Sequence, residues 1–239
     1  MRSLQRGLDA GRGDRGKGDG EGPRAGAESY PLTAEEYHRG CRYTTPERLA
    51  RHVGLTPGDE TFEEVGAALG AEFDDRYVKL VDRDTAGFYP GVAGLLAELG
   101  GRRGVKLGAL TNACVAYARA VLRANSEDDG DDGSGSARPA PPAPSLFASV
   151  HGADSVPRPK PHGDGILLCC EEMGVDAGRT VYVGDSPTDA RAARDAGCRA
   201  AVGVLWGSGS EESLREEGGF DVLCSSVEEL SAAISGYLL

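Results

Sequence analysis

Apolar positions along this chain follow two rhythms, and the change between them divides it. Over residues 30 to 88 the spacing is helical. Thr33-Ala34-Glu35-Glu36 carries a capping-box pattern, which starts a helix. Thr45-Pro46-Glu47-Arg48 is a second start, with proline at a first helical position, and Leu49, His52 and Val53 share a face behind it. Phe62, Val65, Ala68 and Leu69 mark a third helix, and Phe73, Tyr77, Leu80 and Val81 a fourth. The stretch holds no alternating pattern, so it predicts a small helical unit.

From Phe88 onward, short apolar runs alternate with amphipathic stretches. Val92, Leu95, Leu96 and Leu99 form a helix that closes at Gly100-Gly101. Val105 to Asn112 reads as a buried strand ending in two polar residues, followed by a helix on Val115, Ala118, Val121 and Leu122. Ala148 to Gly152 is a short strand, and Arg158-Pro159-Lys160-Pro161-His162 a rigid turn holding one lysine. A helix over Ile166 to Met173 stops at Gly174. Val181-Tyr182-Val183 is a strand running into Gly184-Asp185 and an alanine-rich helix. Further strands fall at Ala200 to Leu205 and Val222 to Cys224, with a last helix from Val227 to Ile234. Strands alternating with helices predict an α/β fold: a Rossmann-like parallel sheet with helices on both faces, in a core over residues 89–239.

Two segments fall outside this pattern. Residues 1–29 interleave glycine with Arg and Asp and carry almost no large apolar side chain, so they are expected to be disordered. Ser126 to Pro144 combines acids, a Gly/Ser run and prolines, and reads as a flexible insertion.

The overall charge of −12 argues against nucleic acid and anionic membrane as partners. No apolar run is long enough to span a membrane. The cysteines form no C-x-x-C pair, which fits reduced thiols in a cytoplasmic setting. No apolar signal region follows Met1; a plastid form would need a targeting segment that this beginning does not show.

Three candidate groups stand in chain order at or near strand ends: Thr111-Asn112, then Lys160, then Asp185 with Asp189. Ligand sites in open α/β sheets lie at the carboxyl ends of strands. A hydroxyl and an ammonium can hold phosphoryl oxygens, and paired carboxylates suit Mg²⁺. Taken alone, Gly184-Asp185-Ser186-Pro187-Thr188-Asp189 is explained as well by a capped turn.

Taken together, these residues resemble the haloacid dehalogenase superfamily, and within it the phosphoglycolate-phosphatase-like hydrolases. Thr111-Asn112 matches the family's second motif, Lys160 between Pro159 and Pro161 the third, and Gly184 to Asp189 the fourth. Tyr89-Pro90-Gly91-Val92 and Gly203-Val204-Leu205-Trp206-Gly207 also look like that subgroup. The resemblance implies a Mg²⁺-dependent phosphatase of a small phosphorylated metabolite, with residues 30–88 as a helical cap. It implies that Thr111 and Asn112 bind the phosphoryl group and that Lys160 neutralises charge on phosphate and nucleophile. Asp185 would coordinate the ion, and Asp189 would support it or its bound water.

One departure is severe. The family's first motif is an apolar strand ending in Asp-x-Asp-Gly-Thr, whose first Asp attacks phosphorus. No such strand precedes residue 30. Leu8-Asp9-Ala10-Gly11 lacks the apolar run and the second acid, and Asp82-Arg83-Asp84-Thr85 follows the cap and ends no strand. The resemblance puts that strand mid-sheet, between the strands ending at Thr111 and Asp185. Three outcomes are open: the N-terminal segment fills the gap, the flanking strands pair directly, or the coding sequence is truncated. The third is preferred, and with it an inactive chain. A non-catalytic binding or regulatory relative is the alternative.

Overall fold

The computed structural model describes Thr33, Glu36 and residues 39–126 and 144–238. The expectations for residues 1–29 and, apart from Ser126 and Pro144, for the insertion lie outside the described residues.

The helical unit is built on α1 (Thr45–His52) and α2 (Phe62–Tyr77). The Thr44 hydroxyl caps α1 by accepting from the Glu47 amide, and Pro46 occupies the first turn. Ahead of it the Thr33–Glu36 box is present, with the Glu36 amide donating to the Thr33 hydroxyl at 3.2 Å. The third expected helix and the Phe73–Tyr77 part of the fourth are one continuous helix, while Leu80 falls in the 3-10 turn Val78–Leu80 that follows and Val81 lies beyond it. Gly66 and Gly70, spaced to share a face, make the seam with α1. A Cβ at Gly66 would stand 2.8 Å from the Pro46 carbonyl oxygen, and one at Gly70 would stand 3.0 Å from Pro46 Cγ. A single turn, Arg83–Ala86, leads out of the unit.

The core then runs α3 (Val92–Gly101), β1 (Leu107–Leu110), α4 (Val115–Ala124), β2 (Phe147–His151), α5 (Asp164–Met173) and β3 (Val181–Gly184). It closes with α6 (Pro187–Asp195), β4 (Ala200–Val204), β5 (Val222–Cys224) and α7 (Val227–Leu238). All pairings are parallel, as the alternation predicts.

The sheet is in two pieces. β1 pairs with β2, and β3 with β4 and then β5; β1 and β3 do not pair. Yet both pack into the same two apolar layers. Leu95, Leu99, Leu230 and Ile234 from α3 and α7 cover one face, against Val202, Leu107 and Val181. Ile166, Cys170, Ala190 and Ala193 from α5 and α6 cover the other, against Ala201, Leu110 and Tyr182. Direct pairing of the flanking strands is therefore overturned: β1 and β3 share a core but leave an unfilled line between them among the described residues. Burial follows that line. Every residue of β4 is buried, whereas Val183 in β3 is 38% exposed.

Candidate functional site

The site grows from the β3–α6 turn. Ser186 caps α6, with Pro187 in the first turn and Asp189 three residues on, completing a capping box. That box folds Asp189 back beneath the end of β3. Its Oδ2 accepts from the Asp185 amide at 3.1 Å and the Ser186 amide at 3.0 Å. Its Oδ1 accepts from Lys160 Nζ at 2.6 Å and the Tyr182 hydroxyl at 3.3 Å. Gly184 is required here, because a Cβ on it would overlap the Asp189 carboxylate.

Lys160 and Asp189 form a buried ion pair, their side chains 11% and 3% exposed. Burial works against the lysine's charge, but Asp189 and Tyr182 outweigh it and hold the ammonium above its usual value. Burial likewise holds the Tyr182 phenol well above its ordinary range, despite the opposing pull of Lys160. The trio is thus a fixed ammonium, a carboxylate and a neutral hydroxyl.

Asp185 turns the other way. Its Oδ2 accepts from the Ser208 amide at 2.6 Å and the Ser208 hydroxyl at 2.9 Å, in the loop after β4. A Cβ at Gly207 would overlap it. Oδ1 makes no hydrogen bond to the described residues. At the end of β1, the Thr111 hydroxyl accepts from the Ala113 amide at 3.1 Å. The Asn112 amide donates to the carbonyls of Arg42 and Lys160, both at 3.1 Å, so it braces the helical unit and the lysine turn together.

All five predicted residues line one cavity of about 200 Å³. The helical unit supplies the other wall with Cys41, Arg48, Phe73 and Tyr77. Tyr77 stacks on Tyr117 of α4 at 5.4 Å between ring centroids, joining the two walls. A larger depression of about 500 Å³ beside Val78, Asp82 and Arg123 reaches no strand end and gathers none of this chemistry.

Sequence reasoning missed Tyr182, Ser208, Arg48 and the aromatic wall. Tyr182 reads as a strand apolar position, since alternation does not register its hydroxyl. Ser208 carried a usable signal: a hydroxyl just past a strand end, as at Thr111. Arg48 and Phe73 lie on helices whose spacing says nothing of what they face.

Hydrolases of the haloacid dehalogenase-like family match residues 16–197 of this chain. The chain belongs to that family. Its relatives include the phosphoglycolate phosphatase of Escherichia coli K12, 31% identical over 200 residues, covering 82% of this chain and 71% of the relative. The phosphoglycolate phosphatase of Shigella boydii is 30% identical, over 78% of this chain and 67% of its own length. Among solved structures, CbbY from Rhodobacter sphaeroides in complex with phosphate is similar at a TM-score of 0.61 and 26% identity, covering 84% of this chain and 82% of that one. A phosphonoacetaldehyde hydrolase-like protein from Oleispira antarctica shares the fold, with a TM-score of 0.65, 18% identity, and coverage of 88% and 82%. By family resemblance the chain is a phosphatase.

The resemblance implies Mg²⁺, and the donors agree with it in kind. Mg²⁺ takes oxygen ligands, often one or two carboxylates completed by water and substrate phosphate. Asp185 brings one carboxylate oxygen to the cavity without a hydrogen bond among the described residues. No group of three or more His, Cys, Asp or Glu suited to a metal occurs among the described residues.

Proposed function

We propose that this protein is a Mg²⁺-dependent phosphatase of small phosphomonoesters, with 2-phosphoglycolate as the reference substrate, acting in the cytoplasm. The buried Lys160–Asp189 pair, set beside Asp185 at the strand ends, is the observation that carries this reading. Lys160 keeps its proton and so acts as a fixed positive charge on phosphoryl oxygens, not as a base. Thr111 binds the same group through its hydroxyl at the end of β1, and Asn112, whose side-chain amide is held by the Arg42 and Lys160 carbonyls, through its backbone amide. Asp185 holds the ion; Asp189 supports the metal site by fixing the Asp185 amide and the lysine. When bound, Mg²⁺ supplies Lewis-acid neutralisation of phosphate charge.

No nucleophile stands among the described strand ends. Among the described residues no strand, and so no strand-end carboxylate, lies between β1 and β3. Asp82 is committed to capping, accepting from the Thr85 amide at 2.7 Å. The chain as written is accordingly proposed to turn over little substrate. That same gap favours a second reading, a non-catalytic relative that binds phosphate. Turnover of p-nitrophenyl phosphate with and without Mg²⁺ tests both. Phosphate binding without turnover supports the second reading. Robust turnover refutes the low-activity reading, and robust turnover untouched by Asp185→Asn refutes the metal assignment.

A further inference from the structure

The loop after β4 holds Asp185 more closely than a strand-end turn requires. A Cβ at Gly207 would overlap the Asp185 side chain, and one at Gly209 would overlap the Asp185 carbonyl oxygen, so a glycine on each side of Ser208 lets the loop close on this residue. The Gly209 amide donates to the Asp185 carbonyl at 3.0 Å. Between the two glycines Ser208, half-buried and lining the cavity, donates twice to Asp185 Oδ2, from its amide at 2.6 Å and from its hydroxyl at 2.9 Å. The loop is itself anchored. The Leu205 amide donates to the Cys224 carbonyl at 3.0 Å, and the Ser210 hydroxyl accepts from the Ser213 amide at 3.2 Å. The amide of Asp185 is held in turn by Asp189 at 3.1 Å. Backbone and side chain of Asp185 are thus pinned, and its two carboxylate oxygens are unequal: Oδ2 carries two donors, Oδ1 none among the described residues.

A carboxylate oxygen offers about two lone-pair sites, so two donors fill Oδ2 and leave one oxygen of Asp185 for an ion. Cations differ in what they need from a carboxylate. Mg²⁺ is small, keeps several waters and is satisfied by few protein oxygens, whereas Ca²⁺ gathers more ligands and can take both oxygens of one carboxylate. Resting on the metal assignment of the phosphatase reading, we propose that Ser208 is a positioning residue that sets the cation selectivity of the site. Its hydroxyl closes the second oxygen of Asp185, so that Mg²⁺ is accepted and Ca²⁺ disfavoured. Ser208 acts through Asp185, not on the substrate. The Ser208 amide stays on Oδ2 whatever the side chain, so the hydroxyl is the part a substitution removes. Without it one lone-pair site on Oδ2 is free, and both oxygens of Asp185 are open to a larger ion.

Electron paramagnetic resonance of Mn²⁺ on the full chain, with inorganic phosphate present, tests this without requiring turnover. Bound Mn²⁺ is displaced by Mg²⁺ in one series and by Ca²⁺ in another, and the ratio of the two displacement constants cancels the affinity of the reporter. Asp185→Asn measures the ions held elsewhere on this acidic chain, which are subtracted. The wild-type chain should favour Mg²⁺ over Ca²⁺ by at least about tenfold. Ser208→Ala should cut that ratio by at least about threefold, chiefly by tightening Ca²⁺, and Ser208→Thr, which keeps the hydroxyl, should restore it. Ser208→Cys, close in size but only a weak donor, replaces the Ala variant if that one melts early in a thermal scan. Loss of a merely structural contact would weaken both ions alike. A wild-type chain without the preference, a smaller change in the ratio, or a Thr variant that behaves as Ala overturns the role of Ser208 while leaving the metal assignment intact. Mn²⁺ binding that Asp185→Asn does not reduce overturns that assignment and the inference with it.

Discussion

At the residue scale, the Lys160–Asp189 pair shows how one contact serves both fold and site. Breaking a buried ion pair from one side costs about 3–5 kcal/mol, because it strands a charge. Here Oδ2 keeps its two backbone donors. Lys160→Ala should therefore lose about 3 kcal/mol, the low end, read as a shift in urea midpoint. The cysteines give a second test. Burial pushes the half-buried Cys198 thiol up to about 11. The sign makes it neutral where a free thiol begins to ionise: at pH 9 about 1% should be thiolate. Alkylation of Cys198, followed by mass spectrometry, should lag an unshifted thiol near neutrality and accelerate only as the pH approaches 11.

At the element scale, helix content was largely legible because capping and period report on local structure. The Thr33 box and Pro46 start both appear as read. The apolar positions were read as two helices where α2 is continuous, and the packing use of Gly66 and Gly70 depends on a partner that sequence does not show. This makes a contrast. Gly66→Ala should destabilise, since the new Cβ meets the Pro46 carbonyl oxygen at 2.8 Å. Gly101→Ala, at the open end of α3 with nothing within 4 Å, should raise stability by up to about 1 kcal/mol. Thermal midpoints moving in the same direction for both would contradict this account of the α1–α2 seam. The tie between β4 and β5 is of another kind. Asp221 accepts from Arg194 and from the Ala201 amide, each at 2.7 Å. Despite burial, these donors hold its carboxyl below the ordinary range, so its contribution is present above about pH 4 and is lost on further acidification. Asp221→Asn should flatten that acid limb of the stability curve, measured by denaturant titration at several pH values.

At the scale of the whole molecule, the parallel alternation was readable because short apolar runs and amphipathic stretches follow one another along the chain, and the five candidate residues marked by the motifs line one cavity. The arrangement of the sheet was not readable, since pairing joins residues far apart in the chain and no local pattern encodes a neighbour. The gap between β1 and β3 carries a measurable consequence. Amides of β4 are paired inside a buried strand, whereas those of β1 and β3 that face the gap have no described strand to accept them. Hydrogen exchange should be slow along β4 and markedly faster at roughly half the amides of β1 and β3. Uniform protection across all three strands would show that another segment occupies the line.

The same two edges bear on how copies of the chain meet. An open strand edge is a template for any other extended backbone, and the half-exposed Val183 adds an apolar surface to one of them. Another molecule of the same protein is the most abundant source of such backbone in a concentrated sample. Light scattering should therefore show association that rises steeply with concentration. A short apolar peptide able to form a parallel strand should suppress it by occupying the edges first.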